Sequence, residues 1–258
     1  FSYSSFLYIE YSSHKYTIYR VYLCVVIVLL LLRNDGNIQS PKGKEKPKAT
    51  EDIMNTKTAR QIEEMKKQTI GVEIEMNSIS RSKAAKLASQ FFGTGRYKNT
   101  ADRNGYCTYS AWDEQGREWK FQKDVSIAGI DSEKCEMVTP ILNYSDIETL
   151  QELVRILRKA GAKSDSTRGC GVHIHIGAKG HTAKTLRNLA NIMASHEQLL
   201  IDALNLDEVR IRRYCKTVDP RFLEQVNRTK PETMSQLADV WYKSHDENYG
   251  RSHHYNGS

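Results

Sequence analysis

Four residues that could bind a metal ion or transfer a proton lie at alternate positions in two short segments. Glu73 and Glu75 belong to the segment Gly-Val-Glu-Ile-Glu-Met, and His173 and His175 belong to the segment Gly-Val-His-Ile-His-Ile. Alternate side chains of a β-strand point to the same face, about 6.6–6.8 Å apart. If both segments are strands, the two carboxylates share one face and the two imidazoles share another, with aliphatic side chains packing behind them.

These side chains would suit a divalent cation if they converged on one face of a sheet. Hard ions such as Mg²⁺ prefer oxygen ligands, which Glu73, Glu75 and Glu136 could supply, and imidazole is a less usual ligand for Mg²⁺. We therefore expect one histidine to bind the metal, with Mn²⁺ tolerated, and the other to contact phosphate or substrate. The alternative is that the two glutamates have no chemical role, because Glu-x-Glu in a strand is commonly the solvated face of a half-buried sheet.

The elements that must position these residues follow from sequence periodicity. Alternation of apolar and polar residues predicts strands, and apolar residues at helical spacing predict helices. The predicted strands cover residues 69–76, a hairpin over residues 106–123 with its turn at residues 113–116, residues 134–139, and residues 170–177. The predicted helices cover residues 56–67, a segment capped by Ser80 that runs to Phe92, residues 145–160 closed by Gly161, and residues 182–204. Strands and helices without regular β-α-β alternation predict an α+β fold with a mainly antiparallel sheet.

The composition is typical of a soluble globular protein with a solvated basic surface. Hydrophobic residues make up 39% and charged residues 27% of the chain, and the formal net charge is +7. The positive charge suits partners such as nucleotides, but the lysines and arginines are scattered along the sequence, which argues against nucleic-acid binding as the main role. The five cysteines include no C-x-x-C pair, so we expect a reduced, cytoplasmic protein.

The first part of the chain differs in character from the rest. Residues 21–32 form an apolar run, but a membrane span needs about twenty residues. A longer span over residues 16–32 includes an arginine, so we expect membrane association only if that arginine reaches the membrane surface. Residues 34–51 are rich in Lys, Pro and Gly, as in an unfolded linker. We therefore expect residues 1–53 to be a non-globular segment outside the enzyme, and Met54 to be the native start.

Four short motifs follow one another along the chain. They are Gly-Val-Glu-Ile-Glu at residues 71–75, Asp-Val-Ser at residues 124–126, Glu-Met-Val-Thr-Pro-Ile-Leu at residues 136–142, and Cys-Gly-Val-His-Ile-His-Ile at residues 170–176. Together they resemble the motifs of the amidoligases, which are relatives of glutamate–cysteine ligase and glutamine synthetase. The resemblance covers most of residues 54–258, and the predicted hairpin before the second motif also fits.

The resemblance implies both a fold and a metal site. The fold is a curved, mainly antiparallel sheet with helices on its outer side, like that of glutamine synthetase and glutamate–cysteine ligase. In the site, Glu73, Glu75 and Glu136 would hold the Mg²⁺ ions that bridge the phosphates of ATP, and both histidines would line the same cavity. We assign His173 to the metal and to catalysis, and we assign Glu73, Glu75 and His175 to the binding of ATP.

Three further residues are candidates for contact with substrate or phosphate. Asp124 and Ser126 match the family's Asp-Gly-Ser pattern, in which Val125 replaces the usual glycine, so we assign them to substrate binding and leave their backbone role open. Arg168, just before the histidine segment, could hold a phosphate or a substrate carboxylate through two hydrogen bonds, and we assign it to catalysis. An ordinary surface arginine is the alternative.

The implied reaction joins a carboxylate of a small molecule or peptide to an amine. The carboxylate first attacks the γ-phosphate of ATP to form an acyl phosphate, from which the amine then displaces phosphate, while metal ions neutralise the transferring phosphoryl group. In the family a later strand with a Glu-x-Arg motif completes the site, and no such segment occurs before Ser258. We therefore expect residues 54–258 to be the N-terminal portion of a truncated amidoligase domain, inactive in this form.

Two other functions are compatible with the same residues. A metal-dependent hydrolase would use the His-x-His strand to hold Zn²⁺ and generate hydroxide, although His181, His196 and His245 form no matching pattern. A truncated copy or a binding module would keep the sheet without catalysis. Stabilisation by Mg-ATP separates the ligase from this second alternative, because a ligand that binds only the folded state raises stability. Hydrolysis without ATP, with zinc retained on purification, would favour the hydrolase.

Overall fold

The computed structural model describes most of the chain after residue 58. The described residues are the backbone of Ser5–Tyr8 and residues 59–101, 105–164, 166–206, 208–213 and 216–242. The predicted apolar run and the predicted linker lie outside these residues. The proposed domain boundary at residue 54 therefore stays a prediction.

In the described part of the chain, seven strands form one sheet in the order β1-β7-β2-β6-β5-β4-β3. The strands are β1 (Ser5–Tyr8), β2 (Ile70–Met76), β3 (Tyr97–Asn99), β4 (Tyr109–Trp112), β5 (Glu118–Gln122), β6 (Cys135–Val138) and β7 (Val172–Ile176). Neighbouring strands from β2 to β7 pair antiparallel, and β1 pairs parallel with β7 at one edge. The predicted α+β fold with a mainly antiparallel sheet is confirmed. Its curvature and its likeness to glutamine synthetase stay predictions.

The described residues also contain seven α-helices. They are α1 (residues 59–66), α2 (Arg81–Phe91), α3 (Ile147–Lys159), α4 (Ala183–Leu204), α5 (Glu208–Arg213), α6 (Pro220–Thr229) and α7 (Met234–Trp241). Ser80 caps α2 as predicted, because its hydroxyl accepts a hydrogen bond from the backbone N–H of Lys83 at 3.2 Å. Gly161, at φ +109°, follows the end of α3 as predicted. Among the described residues, no helix is both long and apolar enough to cross a membrane.

The sequence patterns do not predict β3 or the three helices after α4. All three residues of β3 are exposed, so the strand has no buried face that would produce an alternating pattern. The starts of α6 and α7 do carry local signals. Asp219 caps α6 and accepts a hydrogen bond from the backbone of Arg221 at 2.8 Å, with Pro220 at the first helical position. Acidic caps followed by proline are a common way to begin a helix.

The sheet has an apolar face and a polar face. On the apolar face the side chains of Trp119, Phe121 and Met137 are fully buried, and α2 packs against β3, β4 and β5. The same core continues into the later helices, for example through Leu186 of α4 and Phe222 of α6. Because the helices contribute to the core on this side, the alternate strand residues, which point the other way, form the polar face.

Candidate active site

The pairing register brings the two chemical motifs side by side in the middle of the sheet. β2 lies between β7 and β6, so Glu73 is directly opposite His173 on one side, and Glu75 is directly opposite Glu136 on the other. Directly opposite residues of antiparallel strands point to the same face. Three carboxylates and, with His175, two imidazoles from three adjacent strands therefore share the polar face.

Glu73 contacts both histidines of β7. Its Oε2 lies 3.4 Å from Nδ1 of His173, and its Oε1 lies 3.2 Å from Nε2 of His175. Burial by itself raises the pKa of the Glu73 carboxyl, but the close approach of His175 and the charges of both histidines outweigh burial and lower the pKa. Glu73 is therefore held ionised beside the two imidazoles.

Glu75 is fixed by the backbone just before β7. Its side chain is buried, and its Oε2 accepts a hydrogen bond from the backbone N–H of Gly171 at 2.6 Å. The backbone N–H of Glu75 donates in turn to the carbonyl of Gly171 at 3.0 Å. The other carboxylate oxygen, Oε1, lies 3.7 Å from Nε2 of His173. The sheet therefore orients Glu75 towards the histidines and leaves little rotational freedom for its carboxylate.

Glu136 and Asp124 form an acidic cluster with Glu75. One carboxylate oxygen from each of the three residues lies within 4.8 Å of the other two. Glu136 is buried, and its Oε2 accepts a hydrogen bond from Nε2 of Gln122 at 2.8 Å. Asp124 comes from the loop after β5 and is half-buried. The loop thus places Asp124, which is predicted to bind substrate, beside Glu75 and Glu136, which are predicted to bind the metal.

The surroundings of Glu136 oppose its ionisation. Burial, together with the smaller effects of the negative charges of Glu73, Asp124 and Glu75, raises the pKa of its carboxyl to about 8, although the hydrogen bond from Gln122 lowers it. Buried carboxylates at this spacing are unfavourable unless protons or a cation neutralise them. Because the three clustered residues offer oxygen ligands, the donor set fits a hard ion such as Mg²⁺. The other two predicted metal ligands, Glu73 and His173, lie next to the cluster.

The residues of this site lie within the part of the chain that matches a known protein family. The family described as "Putative amidoligase enzyme" matches residues 66–258. The chain belongs to the amidoligase family. This family consists of ligase-type enzymes, in agreement with the resemblance of the four sequence motifs. No curated protein and no solved structure matches the chain.

The loop that carries Asp124 is held by close backbone contacts. Oδ1 of Asp124 accepts a hydrogen bond from the backbone N–H of Ser126 at 2.6 Å, and the N–H of Ala128 donates to the carbonyl of Arg168 at 2.8 Å. Gly169 has a φ of +71°, and a Cβ at this position would lie 2.6 Å from the carbonyl oxygen of Ser126. A glycine at this position therefore lets the loop lie against the segment before β7.

Val125 shows why the amidoligase pattern Asp-Gly-Ser can lose its glycine in this chain. The Val125 side chain is 81% exposed, and its backbone does not adopt a left-handed φ. A glycine is required only where φ is left-handed or where a side chain would clash. The backbone turn at Asp124 and Ser126 forms with valine between them, and the assignment of these two residues to substrate binding stays a prediction.

Arg168 ends a short 3₁₀ turn, Ser166–Arg168, shortly before β7. Its Nη1 donates a hydrogen bond to Oδ1 of Asn77 at 3.4 Å. Asn77 is buried, and its Nδ2 donates to the carbonyl of Ala128 at 3.1 Å. Asn77 therefore links the half-buried arginine to the loop that carries Asp124. The catalytic role assigned to Arg168 stays a prediction.

A cavity of about 280 Å³ opens beside Glu73 and His175. Its lining consists of residues 69–73, 138–141 and 175–177. Gly71 is directly opposite His175 and has no side chain to fill the space. The polar face thus has room for a small chemical group next to the glutamate–histidine contacts.

Three residues of the site are absent from the sequence motifs, namely Gln122, Asn77 and Gly169. The sequence did indicate that Gln122 lies on the polar face, because this residue continues the alternation of polar and apolar residues in β5. Asn77 and Gly169 act through contacts with residues that are distant in the sequence, such as the Asn77–Ala128 hydrogen bond across 51 positions. Local patterns carry no information about such contacts.

Proposed function

We propose that this amidoligase-family protein is an ATP-dependent carboxylate–amine ligase that acts through an acyl phosphate. The observation that carries the proposal is the cluster of Glu75, Glu136 and Asp124, next to Glu73 and its two histidine partners on the same sheet face. Phosphoryl transfer from ATP requires cations held by carboxylates, which neutralise the charge of the phosphates. Membership of the family supports the same class of reaction.

Each residue of the site has a distinct task in this proposal. Glu75, Glu136 and Asp124 hold Mg²⁺, which would neutralise the phosphates of ATP. Glu136 releases its proton when a cation binds, because a nearby positive charge lowers the pKa of a carboxyl. Glu73 remains ionised and orients the two histidines. His173, which lies between Glu73 and Glu75, donates a hydrogen bond to a phosphate oxygen or transfers a proton.

The substrates in this proposal are a carboxylate and an amine, each carried by a small molecule or a peptide. The reacting carboxylate must approach the phosphate held at the acidic cluster, and the cavity beside Glu73 and His175 provides space for the group that carries it. Arg168 binds a phosphate or a carboxylate through its guanidinium group, whose planar geometry favours such anions. The amine then displaces phosphate to form the amide.

Thermal unfolding with Mg²⁺ and AMP-PNP, a non-hydrolysable analogue of ATP, tests the nucleotide and metal part of the proposal. We expect saturating Mg-AMP-PNP to raise the melting temperature by about 5–10 °C, because binding at 100 times Kd stabilises a protein by about 2.7 kcal/mol. Glu75→Gln and Glu136→Gln should remove most of the shift. Glu152→Gln is the matched control, since Glu152 lies on α3 and is exposed.

Three outcomes would reject the ligase proposal. The first is the lack of any shift with Mg-AMP-PNP, and the second is a shift of equal size in the Glu75→Gln and Glu136→Gln variants. The third is retention of Zn²⁺ through purification together with ATP-independent hydrolysis that His173→Ala abolishes, which would establish the hydrolase. Phosphate release from ATP that depends on both an added carboxylate and an added amine would identify the reaction directly and would contradict the expectation that this chain is inactive.

A further inference from the structure

A group of basic residues surrounds Trp112 on the same sheet face as the acidic cluster. Arg96, Lys98 and Lys120 are exposed, and Trp112 is half-buried. The guanidinium carbon of Arg96 lies 5.6 Å from the centroid of the Trp112 ring, and Nζ of Lys98 lies 5.7 Å from it. Both distances are within the range of cation–π contacts. These four residues are called the basic patch below, and the indole ring holds two of its cations in place.

The strand register connects the basic patch to the candidate active site. Lys98 is opposite Ser110, and Ser110 is opposite Lys120. Lys120 is in turn opposite Val138, which is opposite Glu73. One row of side chains therefore crosses five strands on a single face. Because adjacent strands are about 4.8 Å apart, Lys120 lies about 10 Å and Lys98 about 20 Å from Glu73 along this row.

The polar face is consequently acidic in the middle of the sheet, on β2 and β6, and basic towards the β3 edge. Beside the basic patch, on β5, lies one acidic residue, Glu118. It accepts a hydrogen bond from the Ser110 hydroxyl at 2.6 Å. Its other carboxylate oxygen is 4.0 Å from Nζ of Lys120, and both side chains are more than a third exposed. An exposed pair at this distance is weak. Three positive charges against one negative charge leave the patch with an attraction for anions.

We propose that the basic patch binds the carboxylates of an extended acidic peptide, one carboxylate of which reacts at the acidic cluster. The inference rests on the proposed function and adds the class of its acid substrate. An extended peptide rises about 3.3 Å per residue, so about six residues span the distance from Glu73 to Lys98. Acidic side chains of such a peptide pair with Lys120, Lys98 and Arg96, while the reacting carboxylate lies beside Glu73.

Two ordinary explanations account for only part of the patch. Lysines on edge strands prevent sheets from pairing with each other, which would explain Lys98 on the edge strand β3, but Lys120 lies on β5 in the interior of the sheet. Binding of a single-stranded nucleic acid would use an open aromatic face for base stacking. Arg96 and Lys98 already contact the ring of Trp112, and the neighbouring site is suited to carboxylate chemistry.

Binding of a fluorescein-labelled hexaglutamate peptide to the full chain, measured by fluorescence anisotropy, tests the inference. We expect binding that weakens as NaCl is raised from about 0.05 to 0.5 M, because salt screens exposed charges. The Lys98→Glu/Lys120→Glu double variant should raise Kd by at least about tenfold. A Lys86→Glu/Lys159→Glu double variant, with the same change in net charge on exposed positions of α2 and α3, should bind like the parent. Triglutamate should bind more weakly than hexaglutamate.

Each alternative result has a defined meaning. Equal loss of affinity in both double variants, or equally tight binding of a six-nucleotide oligothymidylate, would overturn the inference. Single Lys98→Gln and Lys120→Gln variants provide the same test if the double variant fails to fold. Stabilisation of the parent chain by Mg-AMP-PNP without hexaglutamate binding would reject the inference and leave the proposed function intact. Hexaglutamate binding without any effect of Mg-AMP-PNP would reject the proposed function and, with it, the reaction of a peptide carboxylate at the acidic cluster, and would leave only peptide binding by the basic patch.

Discussion

Glu136 combines burial with three negative neighbours, so its protonation affects the stability of the fold. Its folded-state pKa is about 8, compared with 4.5 for an isolated glutamate. The folded chain therefore binds a proton that the unfolded chain has lost, and the metal-free protein loses stability as the pH rises from about 4.5 to about 8. Below pH 4.5 both states are protonated, and this loss is absent.

Glu136→Gln should therefore stabilise the metal-free protein at pH 8. The glutamine keeps an acceptor for Gln122 and removes the charge, so we expect a gain of a few kcal/mol, or about 5 °C or more in melting temperature. The gain should disappear near pH 4.5. Calorimetric scans in EDTA at several pH values measure it. A gain that is the same at pH 5 and pH 8 would contradict the pKa assigned to Glu136.

Gly169 is the residue at which the loop of Asp124 most closely approaches the segment before β7. Gly169→Ala would place a methyl group 2.6 Å from the carbonyl oxygen of Ser126 and force an alanine into a φ of +71°. We expect a loss of stability of about 2–4 kcal/mol, together with a smaller melting shift on addition of Mg-AMP-PNP, because Asp124 would move away from the cluster.

Gly180→Ala is the matched control for Gly169→Ala. Gly180 also has a left-handed φ, of +88°, but a Cβ there would meet no atom within 4 Å. The control should lose only about 1–2 kcal/mol of stability, which is the cost of placing an alanine in this backbone conformation, and should keep the full response to Mg-AMP-PNP. If both variants retained the response, the contact between Gly169 and Ser126 would have no role in positioning Asp124.

At the scale of elements, Arg117 joins the β4–β5 turn to the start of α3. Its Nη1 and Nη2 donate hydrogen bonds to the two carboxylate oxygens of Asp146 at 2.9 and 3.0 Å, and its Nε donates to Asp113 at 2.8 Å. Asp113 also accepts a hydrogen bond from the indole N–H of Trp119 at 3.0 Å. The two aspartates are buried and the arginine is mostly buried. The hairpin and the helix are thus connected by a hydrogen-bonded charge network.

Arg117→Leu should destabilise the protein by about 3–5 kcal/mol, because it leaves two buried carboxylates without their cation. The hydrogen bond from Arg117 lowers the pKa of Asp146 below 3.8. The stabilisation is therefore present above pH 3.8 and is lost as the pH falls through the lowered pKa, so the deficit of the variant should shrink in acid. Urea unfolding at pH 7 and at pH 3 measures both effects.

Arg155→Leu is the control for the network of Arg117. Arg155 pairs with Glu152 on the exposed surface of α3, and both side chains are about half exposed. An exposed pair three residues apart in a helix contributes about 0.5 kcal/mol or less. Equal losses of stability in the Arg117→Leu and Arg155→Leu variants would show that the network does not connect the elements more strongly than a surface ion pair.

At the scale of the whole molecule, the later helices and the sheet share one core. Trp241 of α7 is buried and packs edge-to-face against Phe222 of α6, with ring centroids 4.8 Å apart. Trp119 of β5 belongs to the same core cluster. A shared core predicts that the helices and the sheet unfold together.

Trp241→Ala should therefore destabilise the sheet as well as the helices. The cavity left by the indole should lower the free energy of unfolding by about 3–5 kcal/mol. Unfolding of the variant followed by far-UV circular dichroism, which reports the helices, and by the fluorescence of Trp112 and Trp119, which reports the sheet, should give one common midpoint. Two separate transitions, with the midpoint of the fluorescence transition unchanged from the parent, would show that the helices form an independent unit.

The sequence by itself determined the central strands and the caps of several helices. Alternation of apolar and polar residues predicts β2 and β7, because each strand buries one face. Since alternate side chains point to the same face, the same pattern decides which polar side chains lie together. It thereby placed Glu73 with Glu75, and His173 with His175. Ser80 and Gly161 marked helix ends, because their side-chain and backbone properties act within a few residues.

The tertiary structure alone decided which groups meet across the sheet. The approach of Asp124 to Glu75 and Glu136 depends on Gly169 and Asn77, whose partners are far away in the sequence. Likewise, the lysines and arginines are scattered along the chain, and no local pattern indicates the basic patch. The patch exists because pairing of β3, β4 and β5 brings Lys98 and Lys120 into one row. Register is set by long-range pairing and packing, and local composition does not encode it.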